Sequence, residues 1–131
     1  MILQTDILGS IVLAEQEFHS IAGPSKGVLI VLSDFIHENK DIDFRRDRRL
    51  SDRITAKSFA TEIAHEMNVN FAGIPVYLGM LRSREFGALR KGQKEGLQEF
   101  WTEYFKHSGA QSKLVADGPG LLELTLKTFC Q

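Results

Sequence analysis

The chain of 131 residues contains one cysteine, Cys130, so no internal disulfide can form, and that usage fits a reducing compartment. No stretch of about eighteen apolar residues exists, which excludes a conventional membrane-spanning helix. The start, MILQTDILGS, lacks the basic opening of a secretory signal. These absences predict a soluble, cytoplasmic protein with no membrane partner. An excess of one charge is also missing: 16 Lys and Arg against 17 Asp and Glu leave a net charge of −1. Such a chain has no global field to select nucleic acid or an anionic membrane. No G-x-G-x-x-G, Gly-rich loop with Lys-Ser/Thr, or G-x-S-x-G elbow occurs. The four histidines, His19, His37, His65 and His107, show neither H-x-x-H nor H-E-x-x-H spacing, so a histidine metal site has no support.

What is present is ordinary globular composition, 43% apolar and 25% charged, in a length suited to one domain over residues 1–131. Residues 8–22 place Leu8, Ile11, Val12, Phe18 and Ala22 on one helical face, and Gly23-Pro24 stops the helix. Residues 27–33 follow as a strand whose apolar run, Val28 to Leu32, reads as buried on both faces. A helix over 52–68 is expected to bury Ile54, Phe59, Ala60, Ile63, Ala64 and Met67, with Ser51 or Asp52 at its N-cap. A strand over 73–81 leads to a helical stretch over 83–107, where Gly92 and Gly96 weaken the middle and an aromatic stripe at 100–105 reads as core. Ser108-Gly109 closes that helix, and a strand at 112–116 and a helix at 119–130 complete the chain. Strands alternating with helices predict an α/β fold, a three-layer sandwich around a parallel sheet with right-handed crossovers.

In such sheets ligands bind beyond the carboxyl ends of the strands, where Asp34 stands with His37-Glu38 close behind. A small α/β enzyme or nucleotide-binding protein using the crevice around Asp34 and His37 is one reading. The charged run that follows holds Arg45, Arg46, Arg48, Arg49 and Arg53 among Asp41, Asp43, Asp47 and Asp52. Acids nearly balance the arginines, so it reads as a solvated loop with local ion pairs, able to bind a partner protein but poorly suited to nucleic acid.

Thr5-Asp6-Ile7-Leu8-Gly9-Ser10-Ile11, the helix after it, and Val28–Asp34 together resemble the middle of a von Willebrand factor type A domain. GIPVYLGML resembles that family's next strand, and residues 101–129 resemble its ending. The resemblance implies a Rossmann-like topology and a non-enzymatic protein–protein interaction module. The family's metal-ion-dependent adhesion site takes a D-x-S-x-S motif, a threonine and an aspartate from three loops. By position, Thr5 matches the threonine and Asp34 the aspartate. No D-x-S-x-S occurs, so the resemblance implies the carboxyl-terminal portion of the domain with an incomplete site. The cofactor expectation is therefore none, or weakly bound Mg²⁺, because that ion gives up water reluctantly and two protein ligands hold it poorly.

The family's strand order, 3-2-1-4-5-6, shortened to 4-5-6, leaves strand 27–33 at an open edge and predicts exposure of Ile11, Val12 and Phe18 or of their equivalents on the opposite face. An apolar edge without charge or proline invites pairing. The expectation is a homodimer through strand 27–33, or a separate chain that supplies the missing strands.

Overall fold

Parallel pairing of three strands organises the molecule. In the computed structural model, which describes residues 6–20 and 27–115 together with Gly120, Glu123 and Lys127, α1 spans Ile7–Ser20, β1 Leu29–Ser33 and α2 Arg53–Met67. A 3-10 turn, Arg48–Leu50, precedes α2; β2 (Pro75–Met80), α3 (Arg84–Gly87), α4 (Lys91–His107) and β3 (Gln111–Val115) follow. The sheet order is β1-β2-β3, with Val31 opposite Leu78 and Leu78 opposite Leu114. The chain is thus α/β with a parallel sheet, in the order expected for strands 4-5-6. Thr5, Ala22 and most of the expected helix 119–130 lie outside the described residues, although Gly120, Glu123 and Lys127 are helical.

Period-two alternation divides the sheet. Leu29, Val31, Val76, Leu78, Met80 and Leu114 share one face, which joins the core contributed by α1, α2 and α4. Ile30, Leu32, Tyr77 and Lys113 share the other. β1 is not buried on both faces: its residues are partly buried, and Leu32 is 39% exposed. The reason is its position, since β2 is its sole strand neighbour among the described residues.

The helices begin and end where local chemistry dictates. Asp52 caps α2 by accepting from the Thr55 amide, and Asn68 ends it in the left-handed conformation. The buried stripe of α2 differs from expectation at its ends, and Met67 is only partly buried against the core. Ile54 is 81% exposed, and Ala56 takes the inward position, because α2 packs closely on α4 where a small side chain fits. The stretch 83–107 divides into α3 and α4, but the break falls at Ala88–Arg90 and not at the glycines. Gly92 and Gly96 are contact points: a Cβ at Gly92 would meet the Ser51 carbonyl oxygen, and one at Gly96 the Leu50 carbonyl oxygen. Glycine there lets the turn before α2 lie against α4. Of the two alternatives for α1, the face of Ile11, Val12 and Phe18 is not the exposed one: Ile11 is buried and Val12 and Phe18 pack against the core, whereas Leu13, off that face, is the exposed apolar residue.

The aromatic stripe of α4 is core, as expected: Phe100, Trp101, Tyr104 and Phe105 are all buried. Phe44, from the middle of the charged run, joins them, with its ring centroid 4.8 Å from Phe100 and 5.9 Å from Trp101. That run is therefore a loop whose charges face water while Phe35, Ile36, His37 and Phe44 anchor it inside.

Candidate functional site

The carboxyl end of β1 carries the residues singled out by the sequence. Ser33 Oγ accepts from the Phe35 amide at 2.9 Å, and Asp34 Oδ1 accepts from the Ile36 amide at 3.1 Å. The two side chains thereby hold a sharp turn in which Phe35 has φ of 63°. A bulky residue in that left-handed region is strained, at about 1–3 kcal/mol, and persists only where its surroundings impose it. They do: the Phe35 ring is fully buried, and its carbonyl accepts from Trp101 Nε1 at 2.9 Å. Asp34 Oδ2 accepts from Ser83 Oγ at 2.7 Å, while Ser83 caps α3 by accepting from the Phe86 amide. The carboxylate that ends the apolar strand therefore ties the end of β1 to the loop beyond β2.

His37, three residues after Asp34, is fully buried. Its Nδ1 accepts from the amides of Ile7 and Leu8 at 3.1 and 3.3 Å. Asp6 completes the cap of α1, since Oδ1 accepts from the Gly9 amide at 2.9 Å and its carbonyl accepts from the Ser10 amide. The Asp of the Thr5-Asp6 pair thus serves the start of α1. A neutral imidazole that accepts at Nδ1 carries its proton on Nε2, and that buried atom has no hydrogen-bond partner among the described residues. Burial lowers the His37 pKa below its ordinary value, against the opposing pull of the Asp6 carboxylate 3.8 Å away. His37 is closed to solvent, so a reaction in this crevice would have to use Asp34 without it.

Among the described residues no group of three or more His, Cys, Asp or Glu side chains is placed to hold a metal ion. Asp34 is placed, with each carboxylate oxygen already accepting one hydrogen bond; its expected companion, Thr5, lies outside the described residues. No described helix is long and apolar enough to cross a membrane. The loop arginines behave as local ion pairs: Arg45 reaches Glu38 at 3.0 Å and Asp43 at 3.2 Å, and Arg49 reaches Asp47 at 2.7 Å.

A second feature, which sequence reasoning approached only through topology, is the outer edge of β1. In a parallel ladder the N–H and C=O of one residue point the same way, and neighbours alternate. Ser33 turns its carbonyl to the Leu81 amide, so Val31 and Leu29 also face β2. Ile30 and Leu32 must then turn their backbone groups outward. Beside them lies an open apolar groove of about 290 Å³, walled by Ile7, Ile11 and Ala14 of α1 and by β1 itself. Comparison with known proteins gives no match: no family model, curated protein or solved structure is significantly similar to this chain.

Proposed function

We propose that this chain is a non-enzymatic protein–protein interaction module of von Willebrand A-like build, with an incomplete metal-ion-dependent adhesion site, that docks through the edge of β1. The single observation behind the reading is that edge: outward backbone groups at Ile30 and Leu32 beside an apolar groove, with no charged residue from Val28 to Leu32. Natural proteins cover or charge such an edge, and this one is neither charged nor proline-bearing. The order β1-β2-β3 agrees with the resemblance, and a sequence without a Gly-rich nucleotide loop or a G-x-S-x-G elbow agrees with a binding role.

The occupant is a second copy of the chain. A two-fold axis at Ile30 lays β1 antiparallel to its own copy. Ile30 then faces Ile30 of the other subunit, and Leu32 faces Val28. All three positions turn backbone groups outward, so they form hydrogen-bonded pairs across the junction. The strand carries no charge, so the two-fold sets no like charges against one another, and closure makes a six-stranded sheet. Light scattering on the full chain should report twice 14.8 kDa. Ile30→Lys sets two ammonium side chains on facing residues whose Cα atoms lie about 5.5 Å apart at the axis and should give monomer or insoluble chain. A stable monomer of the unaltered chain refutes the second copy. Recovery of a stoichiometric complex with a different polypeptide would show instead that the missing strands come from a separate chain.

A further inference from the structure

The fold sorts the arginines of the charged run. Arg45 is engaged by Glu38 and Asp43, Arg49 by Asp47 while lying 3.7 Å over the Phe59 ring, and Arg53 reaches Glu99 at 3.5 Å. Arg46 has only a 3.9 Å approach to Asp43, a carboxylate already shared with Arg45. Arg48 makes no ion pair among the described residues, and neither does Arg90 in the turn between α3 and α4. These three exposed cations line one open bowl of about 520 Å³. Its single carboxylate, Asp47, is taken: Oδ1 accepts from the Arg49 amide and Nε, and Oδ2 from Nη2.

The surroundings raise the positive potential further. α4 starts at the rim with Arg90 at its N-cap, where a guanidinium has no acceptor to offer, and Lys91 next to it. No acidic residue stands in its first turn, so cations crowd the positive end of a 17-residue helix. α2 and α3, by contrast, start on the side-chain oxygens of Asp52 and Ser83. The closeness is built in: a Cβ at Gly92 would stand 2.5 Å from the Ser51 carbonyl oxygen, so glycine is what lets the loop and the start of α4 share one concavity. Like charges gathered around a cavity without a counter-ion repel one another, and an anion between them reverses the sign of the interaction.

We propose that this bowl binds a small molecule carrying a phosphomonoester or diphosphate group, held between the guanidinium groups of Arg46, Arg48 and Arg90. Guanidinium matches phosphate oxygens in bidentate geometry, and the volume falls in the range of small-ligand pockets. The site stands apart from the β1 edge, so either proposal survives failure of the other. The test titrates inorganic pyrophosphate, and separately inorganic phosphate, into the full chain at constant ionic strength, read by calorimetry and by amide NMR shifts. Saturable submillimolar binding is expected, with shifts concentrated at residues 46–48 and at Gly92 and Gln93. Arg48→Gln with Arg90→Gln should weaken it at least about tenfold, as expected for lost charge-assisted hydrogen bonds, while Arg53→Gln leaves it unchanged. Tighter pyrophosphate identifies a diphosphate ligand, and equal affinities identify a monoester. No saturation at millimolar concentration, equal weakening by Arg53→Gln, or shifts centred elsewhere overturns the proposal; the shift map on the unaltered chain decides the matter should the double variant misfold.

Discussion

An alanine in place of a mid-helix glycine ordinarily strengthens a helix by about 1 kcal/mol. At Gly96 of α4 the opposite sign is expected. A Cβ there would overlap the Leu50 carbonyl oxygen and approach the Asp52 carbonyl oxygen at 3.2 Å. Both are backbone atoms, so no flexible side chain can swing aside. Leu50 itself is buried, which anchors its turn against the core. Relief must come from moving the 3-10 turn and the start of α2 away from α4, the kind of overpacking that costs about 1–3 kcal/mol. Taking the upper part of that range, because two carbonyls are involved, and subtracting the helix gain leaves Gly96→Ala less stable by about 1–2 kcal/mol. In a chain of this size that lowers Tm by about 3–8 °C. Urea unfolding with an unchanged m-value would locate the effect in the folded state. Gly87→Ala is the control: nothing lies within 4 Å of its Cβ position, so it should be neutral or slightly stabilising. If Gly96→Ala matches or exceeds the unaltered chain in stability, the close approach of loop and helix does not exist.

The His37 cap predicts an acid limb in the stability profile. Its folded pKa lies below the unfolded value, so the unfolded chain takes up the proton first. Stability is then constant above about pH 6.5, falls as pH drops toward the folded pKa, and levels off below it. His37→Gln should remove that limb from denaturant midpoints measured between pH 5 and 8, and a limb that survives assigns it to another group. Asp47, held low first by its hydrogen bond to Arg49, contributes in a separate window: that stability is lost as pH falls from its unfolded value toward its lower folded one, below about pH 4. Trp101→Phe leaves the Phe35 carbonyl without its buried donor and should cost about 1–3 kcal/mol in urea unfolding; a loss under about 0.5 kcal/mol would mean that the strained turn does not depend on that bond. Calorimetry with Mg²⁺ should find no binding tighter than millimolar, whereas a submillimolar constant that disappears in Asp34→Ala would establish a working metal site.

Much of this molecule is legible along the chain because its signals are local. Apolar periodicity placed α1, α2 and α4, the run before Ser33 placed β1, and Asp52 and Ser108-Gly109 marked helix ends, since each depends on neighbours within one turn. Ser33 and Asp34 were visible as a polar end to an apolar strand, but their partners were not. Asp34 meets Ser83 across 49 positions and Trp101 meets Phe35 across 66, and no spacing rule encodes such pairs. His37 illustrates the same limit: a histidine beside a carboxylate looks like chemistry in a sequence, and only its burial against the amides of α1, thirty positions away, makes it a cap.

Gly92 and Gly96 show why composition misleads about packing. In sequence they weaken a helix; in the fold they are where another backbone comes closest, because tertiary contact reverses a propensity of about 1 kcal/mol. The arginines divide in the same way. Their number and near-neutral balance with acids were plain from residues 41–53, but which cations find a carboxylate depends on the path of the loop. Phe44 sets that path by burying itself beside Phe100, since hydrophobic burial is indifferent to the charge of flanking residues. The amino-acid order by itself determined an α/β chain with a parallel sheet and an apolar strand ending on a carboxylate. Tertiary structure alone decided that Ile30 and Leu32 turn their backbone groups away from β2 and that Arg46, Arg48 and Arg90 line one bowl, because both depend on which distant segments pack together.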